Sequence, residues 1–152
     1  ESVWQDVMNK NYETAKLLTL AVLPHMKLKK FGRVITISSV HGKESGGRPW
    51  FTVAKAAEIA LMKSLSRDFS LVRCGITFNT VAPGGILIPN TGWDEMLRNE
   101  PDKYNVFCDS LPMGRLGTPE EVASVVAFLC SKEAGFVNGA CIAVDGGESR
   151  SY

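Results

Sequence analysis

The order in which apolar patterns follow one another limits the fold more than any single motif does. From Val3 to about Lys30 apolar residues recur at helical spacing (Val3, Trp4, Val7, Met8, then Ala15, Leu18, Ala21, Leu23). The spacing predicts a long helix, which Pro24 is expected to kink or to end as a regular element. Gly32 breaks the pattern, and Val34-Ile35-Thr36-Ile37-Ser38 follows as a β-branched run, apolar on both faces, as suits an interior parallel strand. A polar, glycine-rich loop from His41 to Pro49 leads to a second helix over 50–71, with Ala54, Ala57, Ala60, Leu61, Leu65 and Phe69 on its inner side. A second strand, 76–81, ends at Ala82-Pro83-Gly84-Gly85. The stretch from Ile86 to Leu116 reads as irregular, with one short helix around Trp93 to Asn99, and its length suggests a lid. Thr118-Pro119-Glu120-Glu121 carries an N-cap threonine, a proline at the first helical position and a capping-box glutamate, opening a helix that reaches Cys130. A last strand over 141–144 stops at Asp145-Gly146-Gly147. Helix–strand alternation of this kind produces an α/β fold with a parallel sheet.

Several function classes drop out on bulk properties. Seventeen Lys and Arg against sixteen Asp and Glu leave a formal charge of +1, so neither nucleic acid nor an anionic membrane is an expected partner. Lys27, Lys29, Lys30 and Arg33 read as a solvated helix end rather than a phosphate track. The four cysteines (Cys74, Cys108, Cys130, Cys141) show neither metal-ligand nor disulfide-framework spacing, which implies free, mostly buried thiols in a reducing compartment and no metal site. No signal peptide is visible at Glu1-Ser2-Val3-Trp4, and the longest apolar run, Leu17 to Leu23, is interrupted by Thr19. A cytoplasmic protein is the expectation. With no internal repeat and no linker, 152 residues read as one domain or part of one.

In open α/β sheets, ligands lie beyond the carboxyl ends of the strands. Those ends carry Ser38-Ser39-Val40-His41-Gly42, then Val81-Ala82-Pro83-Gly84-Gly85-Ile86, then Val144-Asp145-Gly146-Gly147. Together with Phe51-Thr52-Val53-Ala54-Lys55-Ala56-Ala57, these segments resemble the short-chain dehydrogenase/reductase family, in the family's order and over essentially the whole chain. The resemblance implies the C-terminal portion of a Rossmann-like, doubly wound parallel sheet, about three strands with flanking helices, as residues 1–152 of a single domain whose N-terminal nucleotide-binding part is absent. It also implies hydride transfer between NAD or NADP and a small carbonyl or alcohol substrate.

Residue by residue, the resemblance assigns Asn11 to the asparagine that holds a proton-relay water. Ser39 matches the serine that bonds the substrate oxygen, with Ser38 beside it open to confusion. Lys55 matches the lysine that contacts the ribose hydroxyls. Pro83-Gly84-Gly85-Ile86 resembles the P-G-x-I turn whose backbone packs beside the nicotinamide. Asn79 reads as structural. Trp93, Met96, Tyr104 and Phe107 fall where the family places its substrate-specificity loop.

Three features depart from the pattern. The family's Y-x-x-x-K has Phe51 in place of tyrosine, and a phenyl ring transfers no proton; Tyr12, Tyr104 and Tyr152 lie outside that motif. His41, Thr52 or a relayed water are conceivable substitutes, with His41 the poorer choice. Ile88 stands where a threonine is usual, with Thr91 nearby. No glycine-rich phosphate turn occurs between a strand and a helix. Two readings follow: an oxidoreductase with an altered proton path, or a catalytically inactive, truncated remnant serving as a binding or assembly module. Either is expected to form homo-oligomers through the helices at 3–30 and 50–71.

Overall fold

The computed structural model describes residues 2–151; Glu1 and Tyr152, the ends of the expected domain span, lie outside the described residues. Three parallel strands, β1 (Gly32–Ile37), β2 (Ile76–Pro83) and β3 (Cys141–Val144), form one sheet in the order β1-β2-β3. Gly32 pairs with Ile76 and Ile37 with Val81, while Thr80 pairs with Cys141 and Pro83 with Val144. β2 is buried along all but its last residue, as a central strand must be. β1 is a strand where expected, but it stands at an edge of this sheet rather than inside it, and Ile37 is 45% exposed.

Period-two alternation along the strands splits the core between two faces. Ile76, Phe78 and Val34 pack with Leu23, Met62 and Leu71 on one face. Val81, with Ile35, Ile142 and Val144, packs against Leu129 and Val122, Val125 and Val126 on the other. Truncating a side chain such as Phe78, wholly enclosed here, costs about 3–5 kcal/mol in cores of this kind.

The first long helix is three segments in line: α1 (Ser2–Met8), a π-helical turn (Asn9–Glu13) and α2 (Thr14–Lys29). The helix runs on through Pro24, so the proline does not end it. Pro24 is on the exposed side, where water can satisfy the carbonyl its missing N–H leaves free. Lys30, in the left-handed conformation at φ 50°, closes the helix. Arg33 corrects the reading of the basic cluster: its guanidinium is half-buried and donates to the carbonyls of Gly32, Gly75 and Ser131.

The helix expected over 50–71 is two elements, α3 (Pro49–Leu65) and α4 (Phe69–Val72). The Asp68 side chain accepts from Ser70 N at 2.8 Å, a local cap that starts a new helix instead of continuing the old one. The buried stripe of α3 is Ala54, Glu58 and Met62, whereas Ala60 and Phe69, expected inside, are exposed. Between β2 and β3 the supposed irregular lid holds two helices, α5 (Gly92–Asn99) and α6 (Pro101–Ser110). Pro101 opens α6 as Pro119 opens α7 (Pro119–Cys130). The capping box of α7 is present in both directions, Glu121 N to Thr118 Oγ1 and Thr118 N to Glu121 Oε2.

The cysteines are free thiols, but only Cys108 is buried; Cys74 and Cys141 are half-buried and Cys130 is exposed. No helix among the described residues is long and apolar enough to cross a membrane, and no cluster of His, Cys, Asp or Glu among them could hold a metal ion.

Candidate functional site

The carboxyl ends of β1 and β2 and the first turn of α3 enclose a cleft of about 450 Å³. Its walls carry Ser39, Phe51, Pro83, Gly84, Ile86 and Trp93, so residues far apart in sequence converge on one opening. The two serines, equivalent in the sequence, differ in the fold. Ser38 is 6% exposed and its hydroxyl donates to Lys55 O at 2.8 Å, fastening β1 to α3. Ser39 Oγ accepts from His41 N at 3.2 Å, which leaves its O–H free to donate toward the cleft.

The turn after β2 has an uneven supply of backbone donors. Gly84 N donates to Val144 O at 3.2 Å, Gly85 N to Glu148 Oε2 at 2.6 Å, and Leu87 N to Gly117 O at 2.9 Å. Ile86 N–H, on a residue that borders the cleft, has no partner among the described residues. The turn needs glycine at position 84: an added Cβ would stand 2.4 Å from Glu148 Oε2 and 2.8 Å from Asp145 Cβ. Thr91 also lines the cleft, with its hydroxyl donating to Ile88 O at 2.7 Å. Trp93 stacks on Phe107 at a centroid distance of 4.4 Å, while Met96 and Tyr104 do not border the opening.

Lys55 and Asn11 border a different space, a groove of about 470 Å³ between α2 and the free edge of β1. Lys55 follows Phe51 by one helical turn, and its Nζ lies 5.8 Å from the ring centroid. The ammonium donates to Ile37 O at 2.9 Å and to both oxygens of Glu58. Burial raises the Glu58 carboxyl above the usual glutamate range, against the pull of the Lys55 charge. Asn11 sits in the π-helical turn, and its Nδ2 donates to Val7 O within the helix at 2.8 Å. Asn79 has both ends of its amide bonded, to Val137 O and from Ala140 N, in the interior.

His41 and Thr52, considered as proton carriers, do not line the cleft; His41 Nδ1 and Thr52 Oγ1 are buried without partners behind Gly46 and Gly47. Three carboxylates escaped the sequence reading: Glu58, Glu44 and Glu148. Glu58 had a signal, a charge set on the apolar i, i+4 stripe of Ala54 and Met62. Glu44 and Glu148 had none, because both bond to backbone groups remote in sequence.

A three-stranded parallel sheet with helices on both faces and a cleft at its carboxyl edge defines an α/β protein of the Rossmann-like, doubly wound class. The chain belongs to the short-chain dehydrogenase/reductase family of oxidoreductases: the family described as Enoyl-(Acyl carrier protein) reductase matches residues 1–149. Among curated relatives, 3-oxoacyl-(acyl-carrier-protein) reductase FabG of Vibrio cholerae is 38% identical over 148 residues, covering 97% of this chain and 58% of the relative. Acetoacetyl-CoA reductase of Shinella zoogloeoides is 35% identical, with coverage of 95% and 58%. Among solved structures, an oxidoreductase of the same family from Burkholderia thailandensis aligns at a TM-score of 0.87 and 29% identity, over 97% of this chain and 56% of that one. The TT0495 protein of Thermus thermophilus aligns at 0.81 and 37% identity, over 95% and 59%. The chain thus spans rather less than two thirds of the length of these relatives.

Proposed function

We propose that residues 1–152 form the C-terminal part of a single short-chain dehydrogenase/reductase domain and carry the substrate side of a site for hydride transfer between NAD or NADP and a small carbonyl or alcohol. The observation that carries this reading is the cleft itself: Ser39 with a free hydroxyl proton, Pro83, Gly84 and Ile86, whose N–H is unengaged, border one apolar opening. Those groups fit a nicotinamide: the Pro83–Ile86 turn would hold its flat face, and the unpartnered Ile86 N–H would offer its carboxamide a donor. Bound there, the cofactor supplies the hydride. Ser39 then donates to the substrate oxygen and orients it, and Ile88 and Trp93 exclude water. Phe51 holds the shape of a phenol but offers no proton. Lys55, one helical turn on, carries a proton but is engaged by Glu58 and Ile37 O. Asn11 and Lys55 border one groove, distinct from the cleft.

Relatives whose names describe reductases of 3-oxoacyl and acetoacetyl thioesters support a β-ketoacyl-type carbonyl as substrate class, and one structural neighbour is named an NADPH-dependent reductase. Self-association through α1–α2 and α3 is supported by their exposed apolar side chains, Leu17 at 61%, Leu18 at 64% and Val53 at 48%.

A second reading, an inactive binding or assembly module, is favoured by one observation: Lys55 turns its ammonium to Glu58 and Ile37 O, beside a ring that has no hydroxyl. The deciding experiment is carbonyl-dependent oxidation of NADH and NADPH by the protein at the length found in its own cells, as established by intact mass, and by its Phe51→Tyr variant. A gain on the order of 100- to 10,000-fold supports an enzyme lacking its proton donor. Equal, rapid turnover assigns the proton to another group. No cofactor binding by either form supports the module.

A further inference from the structure

The chain beyond β3 folds back onto the turn after β2 and the loop after Ser39. Asp145 starts the return: its carboxylate accepts from Gly147 N at 2.9 Å and Ser149 N at 3.0 Å. Burial works against that charge, but the hydrogen bonds from Ser149 and Gly147, with Lys43 nearby, hold the carboxyl below the usual aspartate range. Two anchors follow. Glu148 reaches the turn after β2 and accepts from Gly85 N at 2.6 Å. Beyond it Arg150 N and Ser151 N both donate to Glu44 Oε2, at 2.8 and 2.9 Å. Glu44 belongs to the loop that follows Ser39, and its own N–H is bonded to Val40 O at 3.1 Å. Both anchors are charge-assisted bonds from backbone N–H groups to a carboxylate, which are shorter and stronger than neutral ones.

We infer that Glu148 and Glu44 are positioning residues: through them the segment Asp145–Ser151 straps the Ser39 loop to the Pro83–Ile86 turn and sets the spacing of the two walls of the cleft. The strap acts on Ile86 through its neighbour. With Gly85 N held by Glu148 and Gly85 O accepting from Gly117 N at 2.9 Å, Gly85 is fixed on both sides, and with it the start of the peptide that carries the unpartnered Ile86 N–H. The effect on ligands rests on the function proposed above; the mechanical link between the anchors does not.

The test is residue-resolved amide hydrogen exchange of the whole chain, wild type against Glu44→Ala, Glu44→Gln and a chain ending at Ser149, with calorimetric titration of NADH and NADPH on each. Glu44→Ala is expected to speed exchange at Gly85 by about tenfold although Glu44 does not touch it, because the far anchor is lost. Glu44→Gln, which keeps an oxygen acceptor, restores the slow rate part of the way. The chain ending at Ser149 reproduces the Glu44→Ala result without altering either wall. Unchanged exchange at Gly85 in folded Glu44→Ala and in the shortened chain overturns the strap. Nicotinamide affinity separates the two ideas: a wild type that binds neither cofactor, yet shows the long-range change at Gly85, removes the proposed function and leaves the strap standing. A wild type that binds, with Glu44→Ala unchanged in both affinity and exchange, does the reverse.

Discussion

Both oxygens of Glu58 lie within hydrogen-bonding reach of the Lys55 ammonium, at 3.1 and 3.3 Å, in a place that leaves Glu58 4% exposed. The ammonium's further bond to Ile37 O joins this pair to the last residue of β1. Desolvating two charges is expensive, and their attraction offsets the expense only while both are present.

Removing one partner should therefore hurt more than removing both. Lys55→Met leaves a buried carboxylate without a counter-charge and is expected to lower stability by about 3–5 kcal/mol at pH 7. Lys55→Met with Glu58→Leu should recover most of that loss. Denaturant unfolding of the four members of the cycle measures the coupling.

The same burial gives Glu58 a signed pH effect. Its folded-state pKa is raised above the ordinary value of 4.5. Folding thus favours the protonated form, and its contribution is complete below pH 4.5 and is lost as pH rises through the raised value. Glu58→Gln should flatten this part of the decline in stability, read from melting temperatures across about pH 4 to 8.

Glu121 has the opposite sign. The Arg115 guanidinium, paired at 2.7 Å, and the Thr118 N–H hold its carboxyl at about 2. The contribution is present above the ordinary 4.5 and fades as pH falls toward 2. Glu121→Gln should lower the melting temperature at neutral pH and converge on wild type at the acid end of that range, with helix α7 the part that loosens.

Gly84→Ala should overpack the turn against Glu148 and Asp145, costing about 1–3 kcal/mol in denaturant unfolding. Asp145 Cβ remains in the way after Glu148→Ala, so the double variant regains only part of the loss.

Leu18→Glu places a charge at a 64% exposed apolar site on α2. A shift from oligomer to monomer in sedimentation velocity, with helix content unchanged, is the expected result. A wild type that is monomeric at all concentrations would remove the proposed interface.

The three strands and the α7 capping box were legible because each depends on local chemistry: β-branched runs, and a threonine three residues before a glutamate. Ser39, Phe51 and the Pro83–Ile86 turn, by contrast, stood out only through the resemblance of their motifs. The break after Leu65 was hidden, since Asp68 caps α4 through a bond that an apolar pattern running on to Phe69 and Leu71 overrides on paper. Helix α6 was missed for a related reason: Pro101, within a stretch read as irregular, serves as a first-turn residue. That β1 stands at an edge follows from which strands are present, and the apolar character of Val34–Ile37 is the same in either place. The split of Lys55 and Asn11 from Ser39 and Phe51 arises from side-chain direction, with Glu58 deciding where the ammonium points.

The sheet also sets a timetable. Thr36 meets Thr80 across 44 residues, and Ala140 N reaches Asn79 across 61, so each pairing must close a long loop before it is rewarded. During synthesis β2 has one bare side until β3 leaves the ribosome. The last stretch of the described chain therefore completes the central strand's pairing and ties down the strap in one late step. A stop codon shortly before Cys141 would release a chain whose most deeply buried strand has one side open to any neighbouring nascent chain.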